Sequence, residues 1–150
     1  MAMSVSAMLG LTTRFRVTVD GVDLGGWAKC SGLAVEFKNQ RVKEGGNYEV
    51  QPILAEHIEY PNITLTRAMN AADSNRVQAW LRSKVAGWVN ATSSGGGGTA
   101  EITLFDAKVA PVTSWSLRNV YPAKWEGPEL TVETFGIAVE RLTFVHEGFL

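Results

Sequence analysis

Two histidines, each beside a carboxylate, are the first residues in this chain that could do chemistry. His57 stands two positions before Glu59, and His146 directly precedes Glu147. Such pairs can bind a metal or relay a proton. The spacing argues against both uses, because the two histidines lie far apart and no third ligand stands at a recognisable interval from either. The single cysteine, Cys30, would need a histidine to activate it, and nothing in the sequence places one there. One cysteine also excludes an intramolecular disulfide and a multi-cysteine zinc site. It fits a reducing compartment and reads as a small buried hydrophobe. No Gly-x-Ser-x-Gly elbow occurs. The four glycines Gly95 to Gly98 lack the Lys and the Ser or Thr of a phosphate-binding loop, and no strand immediately precedes them. They read as a flexible surface connector. The chain is therefore expected not to be an enzyme and to need no cofactor or metal.

The bulk properties narrow the classes further. With 150 residues, 45% of them hydrophobic, the chain is expected to form one domain over residues 1–150. A formal charge of -1 supplies no general attraction to nucleic acid, so specific nucleic-acid binding is not expected. Residues 1–13 are uncharged and fairly apolar, but the basic start of a secretory signal is missing. They read as an N-terminal arm, packed on their own domain or laid across a neighbour. Asn62-Ile63-Thr64 and Asn90-Ala91-Thr92 match the glycosylation pattern, which has meaning only in a secreted chain. No stretch is long enough to span a bilayer.

The element that must organise everything else is the run Asp73 to Trp88. Val77, Trp80, Leu81, Val85 and Trp88 recur at steps of three and four, with Asn75, Arg76, Gln78, Arg82 and Lys84 between them. This predicts one amphipathic helix, capped by Asp73 or Ser74 without a capping box, frayed at Gly87 and stopped by Asn90. Its apolar face must be covered by a sheet or sit in the mouth of a barrel.

The rest alternates as short strands. Phe15, Val17 and Val19 share one face, and Asp20-Gly21 supplies a type I′ turn that returns the chain through Val22 to Leu24. Strands are expected at Leu33 to Phe37 and through Ile58, Tyr60, Ile63, Leu65 and Arg67, with Pro61 marking an edge, bulge or strand start. Others follow at Ile102 to Phe105 and Val112 to Leu117, with a kinked edge from Asn119 to Pro128. The last run, Phe135 to Val145, is apolar on both faces and is expected to be central or covered by another subunit. Between Gln40 and His57 periodicity fails. Structureless connections longer than about 12–15 residues usually carry function or are disordered. This one, with Arg41, Lys43, Glu44, Gly45, Gly46, Asn47 and Glu49, is the first functional candidate.

The order of these segments resembles the inner tube proteins of contractile phage tails and of phage-tail-like contractile injection systems. The resemblance is carried by Phe15-Arg16-Val17 with Asp20-Gly21, by Cys30-Ser31-Gly32-Leu33, by Glu44-Gly45-Gly46-Asn47 and by Tyr60 to Arg67. Trp80, Trp115-Ser116-Leu117, Tyr121 to Trp125, Ala138 to Leu142 and His146-Glu147-Gly148 complete it. It implies a mainly β chain, a β-barrel or sandwich with one flanking α-helix. Six copies would form a ring, and rings would stack into a hollow tube inside a sheath protein, ending at baseplate and tube-terminating proteins. The tube lumen would offer a path for cargo, and its wall is expected to be polar, with Arg141 and Thr143 one candidate set. The segment 40–57 would be the extended loop joining one ring to the next. Synthesis and assembly in the cytoplasm, without membrane insertion by this chain, complete the expectation. A monomeric ligand-binding barrel closed by its helix is the competing reading.

Overall fold

A computed structural model describes residues 9–43, 45–46, 49–89 and 97–150. Nine strands and one helix follow in the order β1 (Phe15–Val19), β2 (Val22–Asp23), β3 (Lys29–Ser31), β4 (Glu36–Arg41), β5 (Ile53–Glu59), β6 (Ile63–Ala68), α1 (Ala71–Val89), β7 (Gly98–Phe105), β8 (Pro111–Glu126) and β9 (Val139–Val145). Seven strands form one antiparallel sheet in the order β2-β1-β7-β8-β9-β6-β3, and β4 and β5 pair only with each other. The large sheet folds over on itself through β8, whose first part pairs with β7 and whose second part pairs with β9. The turn falls at Asn119, which carries a φ of 52°. The inner faces then meet in one core: Val17, Val19, Ile102 and Leu117 from one half, Ile63, Leu65, Leu142 and Phe144 from the other. Val77 and Trp80 of α1 enter the same core. The expected mainly β barrel or sandwich with one flanking helix is what the chain forms.

The first hairpin follows its turn chemistry. Asp20 and Gly21 both hold positive φ, 53° and 74°, as a type I′ turn requires. Asp20 does more than turn the chain. Its carboxylate accepts the Trp80 indole N–H at 2.9 Å and the Thr99 amide at 3.0 Å, and Lys84 lies 3.1 Å away. One residue thus ties the hairpin to the helix and to β7. A Cβ on Gly98 would stand 1.8 Å from Asp20 Oδ1, so this end of the glycine run is set by close approach and belongs to a strand rather than to a connector. Gly95 and Gly96 lie outside the described residues.

Several boundaries differ from expectation, each for a local reason. The helix begins at Ala71, and its cap is Asn70 in place of Asp73 or Ser74. Asn70 Oδ1 accepts the Asp73 amide at 2.8 Å, while Asn70 Nδ2 donates to Asp73 Oδ2 at 3.1 Å. Asn70 and Asp73 are thus joined by two hydrogen bonds across the cap, one to a backbone amide and one from a side-chain amide. At its other end the helix runs through Gly87 to Val89, in keeping with the expected stop by Asn90, which itself lies outside the described residues. The strand expected from Leu33 begins at Glu36. The run expected from Phe135 begins at Val139, leaving Phe135 and Ile137 exposed in a connection. That last strand is central, as expected, between β8 and β6. The segment from Asn119 is kinked, and its later part, 121–126, pairs only with β9 among the described residues, so it is an edge as expected.

One buried ion pair locks the helix start to the sheet. Arg67, 3% exposed, places Nε 2.6 Å from Glu140 Oε1. Its other nitrogens donate to the carbonyls of Leu24 and Asp73, and its guanidinium lies 4.0 Å from the Trp27 ring centroid. Ser74 Oγ adds a hydrogen bond to the same Glu140 oxygen. Charges so deeply placed are tolerable because the guanidinium is held by carbonyls, carboxylate and ring together.

Candidate assembly interface

The segment read as a shapeless connection is mostly a β-hairpin. Gln40 and Arg41 end β4, Ile53 to His57 lie in β5, and the ladder runs from Glu36↔Glu59 to Arg41↔Ile53 with a bulge at Lys38/Asn39. The Val42 amide extends it by donating to Pro52 O at 2.9 Å. Gly46, with a φ of 87°, makes the reversal at the tip that a residue with a side chain would resist. Arg41, Lys43, Gly45, Gly46 and Glu49 are all exposed there, and Glu44, Asn47 and Tyr48 lie outside the described residues. The periodicity was hidden because Asn39, Gln40 and Arg41 stand where a half-buried strand would carry apolar residues.

This hairpin has two unlike faces. The register puts Phe37 beside Ile58, and Arg41 beside Ile53, on one side. Glu36 and Glu59, then Lys38 and His57, occupy the other. On that charged side Lys38 Nζ lies 2.9 Å from Glu36 and 3.8 Å from Glu59, and His57 Nε2 meets Glu59 Oε1 at 2.8 Å. The His57 hydrogen bond, above all, holds the Glu59 carboxyl below its ordinary range. On the apolar side Phe37, Ile53 and Ile58 are each more than half exposed. An isolated two-stranded ribbon is marginal in water, and one that leaves a Phe and two Ile uncovered gains stability only when something packs on it.

The helix stripe divides in the same way. Val77 and Trp80 are buried and Leu81 is half-buried, but Val85 and Trp88, expected on the covered face, are each 58% exposed. The later half of β8 runs beside the later half of the helix but leaves a groove between them, so Val85 and Trp88 are not covered. The opposite, outward face of the large sheet is polar: Arg16, Thr18, Glu101, Thr103, Ser114 and Ser116 on one half, Thr64, Thr66, Lys124, Glu126, Arg141 and Thr143 on the other. Thr64 and Thr143 face each other there at 3.3 Å between their hydroxyls.

The groups first considered for chemistry have structural partners instead. His146 accepts the Gly148 amide at 3.1 Å on Nδ1 and packs between Tyr60 and Phe149, and burial pushes its pKa down. His57 belongs to the exposed hairpin, so the two histidines are not brought together. Cys30 is half-buried against the core, and burial pushes its thiol up to about 11, which suits a hydrophobe and not a nucleophile. Among the described residues no group of three or more His, Cys, Asp or Glu could hold a metal ion, and no helix is long and apolar enough to cross a membrane. Of the N-terminal arm, residues 1–8 lie outside the described residues. Leu11 donates its amide to Phe105 O at 3.0 Å, so this end of the arm rests on its own sheet.

The site the fold presents is thus a surface: a two-stranded ribbon with an exposed apolar side beside a closed, mainly β core. The T4-like virus tail tube protein gp19 family matches residues 11–150, and the chain belongs to that family. Among solved structures, a chain of the anti-feeding prophage baseplate aligns with a TM-score of 0.70 at 20% identity, over 97% of this chain and 94% of that one. A chain of the PVC sheath-tube complex, an extracellular contractile injection system in its extended state, aligns with a TM-score of 0.70 at 17% identity, over 97% and 95%. These likenesses show a shared fold. None of the curated proteins matches the sequence.

Proposed function

We propose that this chain is the repeating subunit of the hollow inner tube of a contractile injection system or phage tail, built as six-membered rings stacked inside a sheath. Baseplate and tube-terminating proteins bound the stack, and its lumen is a passage for cargo. The particle is put together in the cytoplasm, and this chain performs no turnover and inserts into no membrane. The observation that carries the reading is the β4–β5 hairpin, which pairs with no other strand among the described residues and whose apolar side leaves Phe37, Ile53 and Ile58 more than half exposed. Laid against a neighbouring ring, the hairpin covers Phe37, Ile53 and Ile58 and brings Arg41, Lys43, Glu44 and Glu49 into reach of opposite charges. Each such surface ion pair is weak, but six per ring act together. The polar outer sheet face, with Arg141 and Thr143, is the surface suited to a passive bore. A ligand-binding barrel finds no comparable support, since side chains from both halves and the helix fill the interior.

The test is a chain carrying Phe37→Asp with Ile58→Asp. Both positions are exposed, so the variant is expected to keep its denaturation midpoint and to lose long tubes in electron micrographs. Long tubes of normal diameter from a normally folded variant would show that stacking resides elsewhere.

A further inference from the structure

Two uncovered surfaces remain that ring stacking through the hairpin does not use. The first is the connection 127–138 between β8 and β9. Leu130, Val132 and Phe135 stand 86%, 104% and 99% exposed, and the only charges in the segment are Glu129 and Glu133. Three large apolar side chains held entirely in water in one short segment mark a surface that another surface covers. The second is a groove of 170 Å³ between the later half of α1 and the later half of β8. Leu81, Val85 and Trp88 form one wall and Pro122 and Trp125 the other. The Trp125 Nε1–H is buried and meets no acceptor among the described residues. Lys84 and Lys124 line this groove, but Lys84 is paired with Asp20 at 3.1 Å and Lys124 with Glu126 at 2.6 Å. Arg82 is an exposed cation on a shallow extension that shares Leu81 and Val85 with the groove. The groove is thus apolar with an arginine at its edge, and the segment is apolar with acidic flanks and no base.

We infer that the 127–138 segment of one copy lies in the helix–β8 groove of a second copy of this chain, its apolar side chains on Val85 and Trp88 and a glutamate on Arg82. The segment brings apolar area to cover the second half of the helix and negative charge for the arginine. The segment leaves β8 directly after Trp125, where Gly127 packs against that ring, and it returns at Ala138, whose carbonyl accepts the Met69 amide beside the helix start. Both ends are anchored, and the residues between them project outward from the chain that carries them. This contact rests on the tube reading and adds to it a second joint between copies, separate from the hairpin.

Disulfide trapping tests it. On a Cys30→Ala background, chains carrying Val85→Cys are mixed with chains carrying Leu130→Cys, assembled into particles and oxidised. The expected result is a covalent dimer between the two kinds of chain, formed at least about tenfold faster than with the exposed control pair Val109→Cys and Leu130→Cys, as the local concentration in a docked contact dictates. The double variant Val85→Cys with Leu130→Cys should give a ladder of higher species. Normal particles that yield no such dimer overturn the inference, as does closure of the double variant within a single chain. Trapping of Val85→Cys on the sheath protein instead of on Leu130→Cys also overturns it. Absence of any particle defeats the tube reading itself, and so separates the two failures.

Discussion

At the scale of single residues, the chain depends on two polar nodes, one buried at Arg67 and Glu140 and one at the surface at Asp20. The Arg67–Glu140 pair joins β6, β9, the loop at Leu24 and the start of α1. Breaking one partner of a buried pair leaves the other charge uncompensated, so Arg67→Met should cost about 3–5 kcal/mol in chemical denaturation. Arg67→Met combined with Glu140→Leu should recover most of that loss; an unchanged midpoint for Arg67→Met alone would contradict the burial. The pair was half legible. Arg67 shares strand parity with Ile63 and Leu65, and Glu140 with Leu142 and Phe144, but nothing in either strand says that they are neighbours. Asp20 is the second node. Burial raises its pKa, but the Trp80 indole, Lys84 and the Thr99 amide outweigh that and hold it below its ordinary 3.8. A folded-state pKa below the unfolded one means stability that is present above 3.8 and is lost as pH falls through the lower folded value. The stability gap between the wild type and Asp20→Asn should therefore narrow as pH is taken below 3.8, which acid-unfolding curves of the two proteins measure. A gap that stays constant would show that the carboxylate charge is not what matters there.

Elements were more legible than their limits. The 3.6-residue period located α1 correctly, because Val77, Trp80 and Leu81 meet the core, but period says nothing about how closely the sheet follows the helix. That fit is a tertiary fact, and it leaves Val85 and Trp88 uncovered. The two tryptophans should accordingly behave differently in the lone chain. Trp80→Ala should cost about 3–5 kcal/mol, as large cavities in packed cores do, and Trp88→Ala should stay within about 0.5 kcal/mol. Comparable losses at both positions would mean the helix is covered along its whole length. The hairpin β4–β5 escaped recognition for a related reason. A strand covered on neither face by the described residues has no need to alternate. Leu130 and Val132 likewise stand in a connection that no described element overlies.

At the scale of the whole molecule, the surfaces sort by chemistry. The interior is closed by the two sheet halves and the helix, the outward sheet face is polar, and the apolar area that remains lies on the hairpin, on the later half of the helix and in the 127–138 connection. On the proposed reading, a ring stacked on rings would cover these patches and pair the short edge strands β2 and β3 with neighbours. The motif order in the sequence already pointed to the tube family. The division of surfaces was not legible there, since it depends on which residues the fold leaves outside. The most direct measurement is cryo-electron microscopy of particles assembled when this chain is expressed with a sheath and baseplate. The expected result is a hollow inner tube of six-membered rings of this chain, with each β4–β5 hairpin lying on the adjacent ring. Particles whose inner tube contains no copy of it, with the chain recovered as a 16.3 kDa monomer, would contradict it.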